Sequence, residues 1–219
     1  MGVYGGEEND FLVRKDNPLK YWERRDIVTQ NQNRFNEFLL DSELPYWSGS
    51  TYDKNIGIPL YKRRDVQNIV EKLNEKCTWI TKDPRMSLLI NEWTPLLKNP
   101  VCIFLKRNKS DTMTSLSRYS GNMQKWSELY DKYYENSYNT CFLNKYPILN
   151  IDHHDLIYNP RTVLFQIHDY LDKKKVEILH PNNVKIYHRR KDEAYVTLLT
   201  GSDENYMKGV NVLAKSIYA

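Results

Sequence analysis

The sequence predicts an α/β chain in which short strands of the parallel-sheet type alternate with helices. Three observations carry that expectation. Val101-Cys102-Ile103-Phe104-Leu105 is an uninterrupted apolar run, the pattern of a strand buried on both faces. Pro147 to Ile151 reads as a further strand, and the stretch between the two, Asn122 to Leu143, reads as helix. Arg63 to Lys76 sets Val66, Ile69, Val70 and Leu73 at helical spacing, a stripe that belongs to a core. With 219 residues the chain is long enough for a domain with a real core.

Taken in order, a helix is expected from about Glu23 to Leu40. The polar stretch from Asp41 to Leu60, with Gly49, Gly57 and Pro59, follows as a long loop. Its Pro45-Tyr46-Trp47 and Tyr52 either line an acceptor or adenine pocket or pack locally. Cys77-Thr78-Trp79-Ile80-Thr81 is strand-like. The run 101–105 ends in Arg107 and Asn108. Ser110-Asp111 then look like the N-cap and first turn of a helix carrying Met113, Leu116 and Tyr119. A strand that ends in Arg and feeds a helix start is a place for a phosphate: first-turn N–H groups are unpaired donors, the dipole favours an anion, and Arg supplies a planar fork. Ser115, eight positions after Arg107, leans back toward the helix start and reaches the same place. The alternative is an ordinary surface cation and an exposed serine. Along 122–143, Trp126, Tyr130, Tyr133 and Tyr134 share a face, either a core stripe or a surface for stacking adenine.

Composition narrows the partners. A net charge of +4 suits an anionic ligand but falls short of the clustered basic face of a nucleic-acid binder. The densest basic run, His188-Arg189-Arg190-Lys191, reads as a solvated linker. Cys77, Cys102 and Cys141 show no C-x-x-C spacing, and two lie inside predicted strands, so buried free thiols are expected rather than disulfides or metal ligands. No metal site is expected, because the adjacent His153 and His154 point apart and no third ligand is spaced to join them. With no apolar run of about 18 residues and no signal-peptide pattern, the expectation is a soluble, cytoplasmic protein without a membrane segment.

The run Lys82-Asp83-Pro84-Arg85 after a strand resembles the signature of bacterial-type sulfotransferases. The same order of motifs continues with Trp93-Thr94-Pro95-Leu96-Leu97, Arg107 with Ser115, and Asn150 to Pro160 followed by a helix from Phe165 to Leu171. Lys109 stands where that family usually has Pro. The resemblance implies that Arg107 and Ser115 bind the 3′-phosphate of the sulfate donor PAPS. It also implies that Lys82 neutralises charge on the transferring oxygens; the alternative is a plain surface lysine. Glu23 and Arg25 resemble the Glu-x-Arg pattern of tyrosylprotein sulfotransferases, which implies Glu23 as the base and Arg25 as a substrate contact; the alternative is a surface pair. The implied fold for residues 1–190 is a P-loop-NTPase-like parallel sheet flanked by helices. It would lack the first strand and phosphate loop, because no Gly-x-x-Arg-Ser-Gly-Thr-type loop occurs and Met1 to Glu7 resembles the stretch after the family's first helix.

Residues 191–219 tell a different story. Ala194-Tyr195-Val196-Thr197-Leu198-Leu199-Thr200 is strand-like and Asp203 to Ile217 helical. The segment resembles the opening of glycogenin-like glycosyltransferases, with Leu198, Thr200 and Tyr206 at the places that implies for nucleotide contact. Together the resemblances imply a piece of a larger bifunctional carbohydrate-modifying protein. Two functions follow as expectations. One is sulfuryl transfer from PAPS to a hydroxyl of a carbohydrate or peptide, leaving adenosine 3′,5′-bisphosphate. The other is a non-catalytic remnant or module that only binds the nucleotide.

Overall fold

A computed structural model of the protein describes residues 4–12, 23–38, 57–76, 78–117, 123–174, 184–190 and 193–198. They group into two compact units. The first comprises Ile27–Val70 and Asp83–Asn150, the second Met1–Asp26, Glu71–Lys82 and Ile151–Ala219. The expected α/β class is present: helix and strand are mixed, with a small two-stranded parallel sheet flanked by helices.

Helix α1 (Arg25–Phe38), which belongs to the first unit from Ile27 on, buries Ile27, Val28, Asn31, Arg34 and Phe35, a helical stripe that includes two polar residues. Helix α2 (Arg64–Asn74) begins in this unit, with Val66 and Val70 in the core. A turn at Asp83 to Arg85 leads into α3 (Met86–Trp93), which buries Leu88, Leu89 and Trp93. The following 3-10 turn, Thr94–Leu96, carries Pro just inside its start, where no N–H is missed.

Strand β1 (Cys102–Lys106) pairs with β2 (Ile148–Asp152) through a crossover of α4 (Lys109–Leu116) and α5 (Met123–Leu143). One expectation needs correction here. β1 is not buried on both faces: Cys102 to Leu105 are all half-buried and Lys106 is exposed. An apolar run is fully hidden only with strands on both edges and cover on both faces, and among the described residues β1 has one partner strand.

The free-thiol expectation is also overturned. Cys102 and Cys141 form a disulfide, with Cα atoms 6.6 Å apart, tying the start of β1 to the end of α5. The two cysteines lie 39 positions apart, so no local spacing announced the pair. Helix α5 itself ends in a Schellman motif: Tyr146 N–H donates to the Cys141 carbonyl and Lys145 N–H to that of Phe142, with Lys145 at φ 57°.

In the second unit, Tyr4 bridges Trp79 in parallel, its N–H donating to the Thr78 carbonyl at 2.8 Å and its carbonyl accepting Ile80 N–H at 2.9 Å. Phe11, fully buried, bridges Arg24 in antiparallel fashion. Gly6 sits at φ 132°, and a Cβ there would press on the Arg24 guanidinium and the Phe11 ring.

Helix α6 (His153–Tyr158) is capped by the Asp152 side chain, which accepts His154 N–H at 2.7 Å. Helix α7 (Pro160–Lys173) opens on Pro and buries Val163, Leu164, Ile167 and Leu171 at helical spacing. Strand β3 (Val184–Arg190) then pairs antiparallel with β4 (Glu193–Leu198), placing Val184 opposite Leu198 and Tyr187 opposite Tyr195. The basic run read as a linker is therefore, from His188 to Arg190, the end of a paired strand. The helix expected from Asp203 to Ile217, the positions Thr200 and Tyr206, and the aromatics Tyr46, Trp47 and Tyr52 lie outside the described residues.

Candidate functional site

Glu23, Arg25 and Lys82 belong to the second unit. Glu23 is anchored through its backbone, whose carbonyl accepts Leu12 N–H at 3.0 Å just before α1 begins. Lys82 follows the segment that Tyr4 pairs with. Their side chains meet: Lys82 Nζ donates to Glu23 Oε1 at 3.0 Å, although 59 positions separate them. Glu23 is 7% exposed, and the Lys82 side chain keeps 27% of its surface open. A carboxylate and an ammonium so placed can take a proton from a hydroxyl and give hydrogen bonds to a developing anion. The Thr81 hydroxyl beside Lys82 is buried and has no partner among the described residues. Arg25 is exposed and turns one guanidinium N–H back to the Phe11 carbonyl at 3.4 Å. Its buried neighbour Arg24 pairs with Asp10 at 3.2 Å and Asp26 at 2.7 Å, which fixes the backbone next to Glu23.

The rest of the Lys-Asp-Pro-Arg run lies in the first unit and is held by a buried polar network that the sequence reading missed. Asp83 accepts from the Arg85 N–H at 3.0 Å, the Arg85 guanidinium at 2.7 Å and the Asn31 amide at 2.8 Å. Asn31 in turn accepts Trp93 Nε1–H at 2.8 Å. One turn further along α1, Arg34 forks onto Glu92 through Nε and a terminal nitrogen, and Glu92 also accepts Leu60 N–H at 3.0 Å. A signal was present: Asn31 and Arg34 occupy the stripe otherwise formed by Ile27, Val28 and Phe35, where a polar side chain needs a buried partner. Burial also pushes the Tyr133 phenol well above the ordinary tyrosine range.

Arg34 has a second carboxylate neighbour, Glu37, which also pairs with Arg63. Burial pushes the Glu37 carboxyl up, but hydrogen bonds from Arg63 and Arg34 outweigh it and hold the group below its ordinary value of 4.5. A depressed carboxylate pKa stabilises the fold above the unfolded value, and the contribution fades as pH falls through the folded one. The melting temperature of the native chain should therefore exceed that of Glu37→Gln at pH 6, and the gap should close toward pH 3. A gap that stays constant would show that the ionised carboxylate contributes nothing.

Arg107 and Ser115 belong to the first unit. Helix α4 starts two residues earlier than expected, so the N-cap is Asn108 and not Ser110. The Asn108 side chain accepts both the Ser110 N–H at 2.9 Å and the Ser110 hydroxyl at 2.7 Å. One first-turn donor is thereby already used. Arg107 is exposed, and its guanidinium has no partner among the described residues; its carbonyl accepts the Tyr130 hydroxyl at 2.8 Å. Ser115 is half-buried, and its hydroxyl likewise has no partner among the described residues. It lies about 10 Å along the helix axis from Asn108. Arg107 and Ser115 thus present a free fork of donors and a free hydroxyl along one short strand-to-helix segment.

Among the described residues no group of three or more His, Cys, Asp or Glu is placed to hold a metal, and no helix is long and apolar enough to cross a membrane. Comparison with family models, with curated proteins and with solved structures gives no match.

Proposed function

We propose that the chain is a sulfotransferase-like protein built for transfer of a sulfuryl group from PAPS to a hydroxyl of a carbohydrate or peptide. The observation that carries the reading is the Lys82–Glu23 pair at 3.0 Å, because each residue was assigned a catalytic role separately and nothing local required them to meet. In this reading Glu23 accepts the proton as the acceptor oxygen bonds to sulfur. The bond from sulfur to the bisphosphate oxygen breaks, and Lys82 stabilises the charge on the transferring and leaving oxygens. Thr81 adds a hydroxyl beside Lys82. Arg107 and Ser115 hold the 3′-phosphate, and Arg25 exchanges its Phe11 carbonyl bond for one to substrate. The sheet is read as P-loop-NTPase-like and the 191–219 stretch as glycosyltransferase-like. The Cys102–Cys141 cystine supports an oxidising compartment over the cytoplasm expected from the lack of a signal pattern.

The second reading, a nucleotide-binding module without turnover, draws on a different observation. Glu23 and Lys82 already engage each other, whereas Arg107 and Ser115 have open valences among the described residues. One pair of titrations separates the two. Adenosine 3′,5′-bisphosphate should bind in the micromolar range, and Arg107→Ala should weaken it by about 10-fold or more, the worth of a charged hydrogen bond. Glu23→Gln should leave that affinity within about twofold and abolish transfer from PAPS, measured as bisphosphate release with a sugar or peptide acceptor. Unchanged affinity in Arg107→Ala would refute the phosphate placement. Binding without any release by the native chain would favour the module.

A further inference from the structure

Helix α5 carries two neighbouring rows of side chains. Trp126, Leu129, Ser137 and Cys141 form the buried row. The row beside it consists of Tyr130, Tyr134, Tyr138 and Phe142, one every four residues. Successive rings lie 6.5, 5.9 and 6.5 Å apart between centroids, with planes within 6°, 16° and 10° of one another. The row runs about 18 Å along the helix. Phe104 of β1 packs against Tyr134 and Tyr138 from one side, at 6.1 and 5.6 Å.

The row does not fade into polar residues where the cover stops. It ends in Phe142, 64% exposed, followed by Leu143, 75% exposed. The hydroxyls of Tyr134 and Tyr138 have no partner among the described residues. Half-buried tyrosine rings in a line, two of them with hydroxyls that have no partner among the described residues, are the kind of surface that meets a ligand with both apolar and hydroxylated faces.

Charge is distributed unevenly over this surface. The cations that touch its rings sit at the β1 end: Lys106 Nζ lies 5.2 Å from the Tyr134 centroid and Lys109 Nζ 5.9 Å from that of Tyr130, with exposed Arg107 between them in sequence. The helix itself exposes Glu128 and Glu135, and Asp131 pairs with Lys109. A uniformly charged polyanion such as single-stranded nucleic acid would gain at one end and be repelled along the helix.

We propose that this row is a platform for an oligosaccharide chain, neutral along Tyr134 to Phe142 and carrying an acidic group at the end that faces Lys106. C–H faces of the sugar rings lie on the aromatic rings, the Tyr134 and Tyr138 hydroxyls bond to sugar hydroxyls, and the acidic group meets the Lys106 ammonium. Binding of the sugar stands on the row alone.

The test is a titration of the full chain with cellohexaose and chitohexaose, each also in a form oxidised to a carboxylate at the reducing end. At least one chain should bind, and its oxidised form should bind about threefold to tenfold more tightly. Phe142→Ala, at an exposed position that does not endanger folding, should weaken both forms by fivefold or more. Lys106→Ala should remove only the advantage of the oxidised form. Binding of adenosine 3′,5′-bisphosphate, measured on the same Phe142→Ala sample, should be unchanged, so that loss of one activity is read separately from the other. Absence of binding by all four sugars, unchanged sugar affinity in Phe142→Ala, or tighter binding of an oligothymidylate or an acidic peptide would each overturn the proposal.

Discussion

Replacing Glu92 by Ala should cost about 3–5 kcal/mol of folding stability, because it strands a buried guanidinium. Arg34 has no exposed surface, and Glu92 is 3% exposed. The two are joined by a fork of charge-assisted bonds at 2.8 to 3.0 Å, and Glu92 also holds Leu60 N–H. Glu37 remains as a second partner for Arg34, but through another nitrogen and from a half-exposed position. The loss is a large share of the stability of an ordinary domain, about 5–15 kcal/mol. Urea unfolding should show a lower midpoint with an unchanged slope. The double replacement Arg34→Met with Glu92→Leu should cost much less, because no charge is then left without its counterpart. A loss below about 1 kcal/mol in Glu92→Ala would mean that water reaches Arg34 and that the network does not seal this part of the first unit.

The second large effect is expected at the cystine. Opening Cys102–Cys141 frees a loop spanning 39 positions, and the chain-entropy model assigns such a crosslink about 4 kcal/mol through restriction of the unfolded chain. The double replacement Cys102→Ser with Cys141→Ser, or reduction of the native protein, should lower stability by about that amount. Thiol titration of denatured, unreduced protein should find fewer reactive groups than the three cysteines of the sequence. Recovery of all three thiols from protein matured in an oxidising compartment would sink both the pairing and the compartment argued from it. The crosslink joins α5, which carries the aromatic row, to β1, the strand that leads into Arg107, so its loss should also weaken ligand binding there.

Local spacing alone made much of the secondary structure legible. The apolar run at 101–105, the stripe of Val66, Val70 and Leu73, the strand near Ile148 and the long helix ending at Leu143 all occur within a few residues of the expected bounds. Hydrophobic periodicity reports which face of an element turns inward, and that information is carried by neighbours a few positions apart. The N-cap shifted from Ser110 to Asn108 because both residue types cap, and only the backbone decides which one stands outside the helix.

The candidate site residues were named from the sequence one at a time and not as partners. Glu23 and Lys82 were named from separate motifs, and their contact depends on the bridge of Tyr4 to Trp79 and of Phe11 to Arg24, which bring distant segments side by side. Asn31, Arg34, Asp83 and Glu92 form a network across 52 to 58 positions, and Cys102 meets Cys141 across 39. The half-burial of β1 belongs to the same class of fact, since it depends on which elements lie beside the strand. Elements follow from interactions within a turn or two of chain and are written in the sequence. Buried charges, crosslinks and distant side-chain contacts such as that of Lys82 with Glu23 depend on what the folded chain places opposite each side chain, and tertiary structure alone decided them.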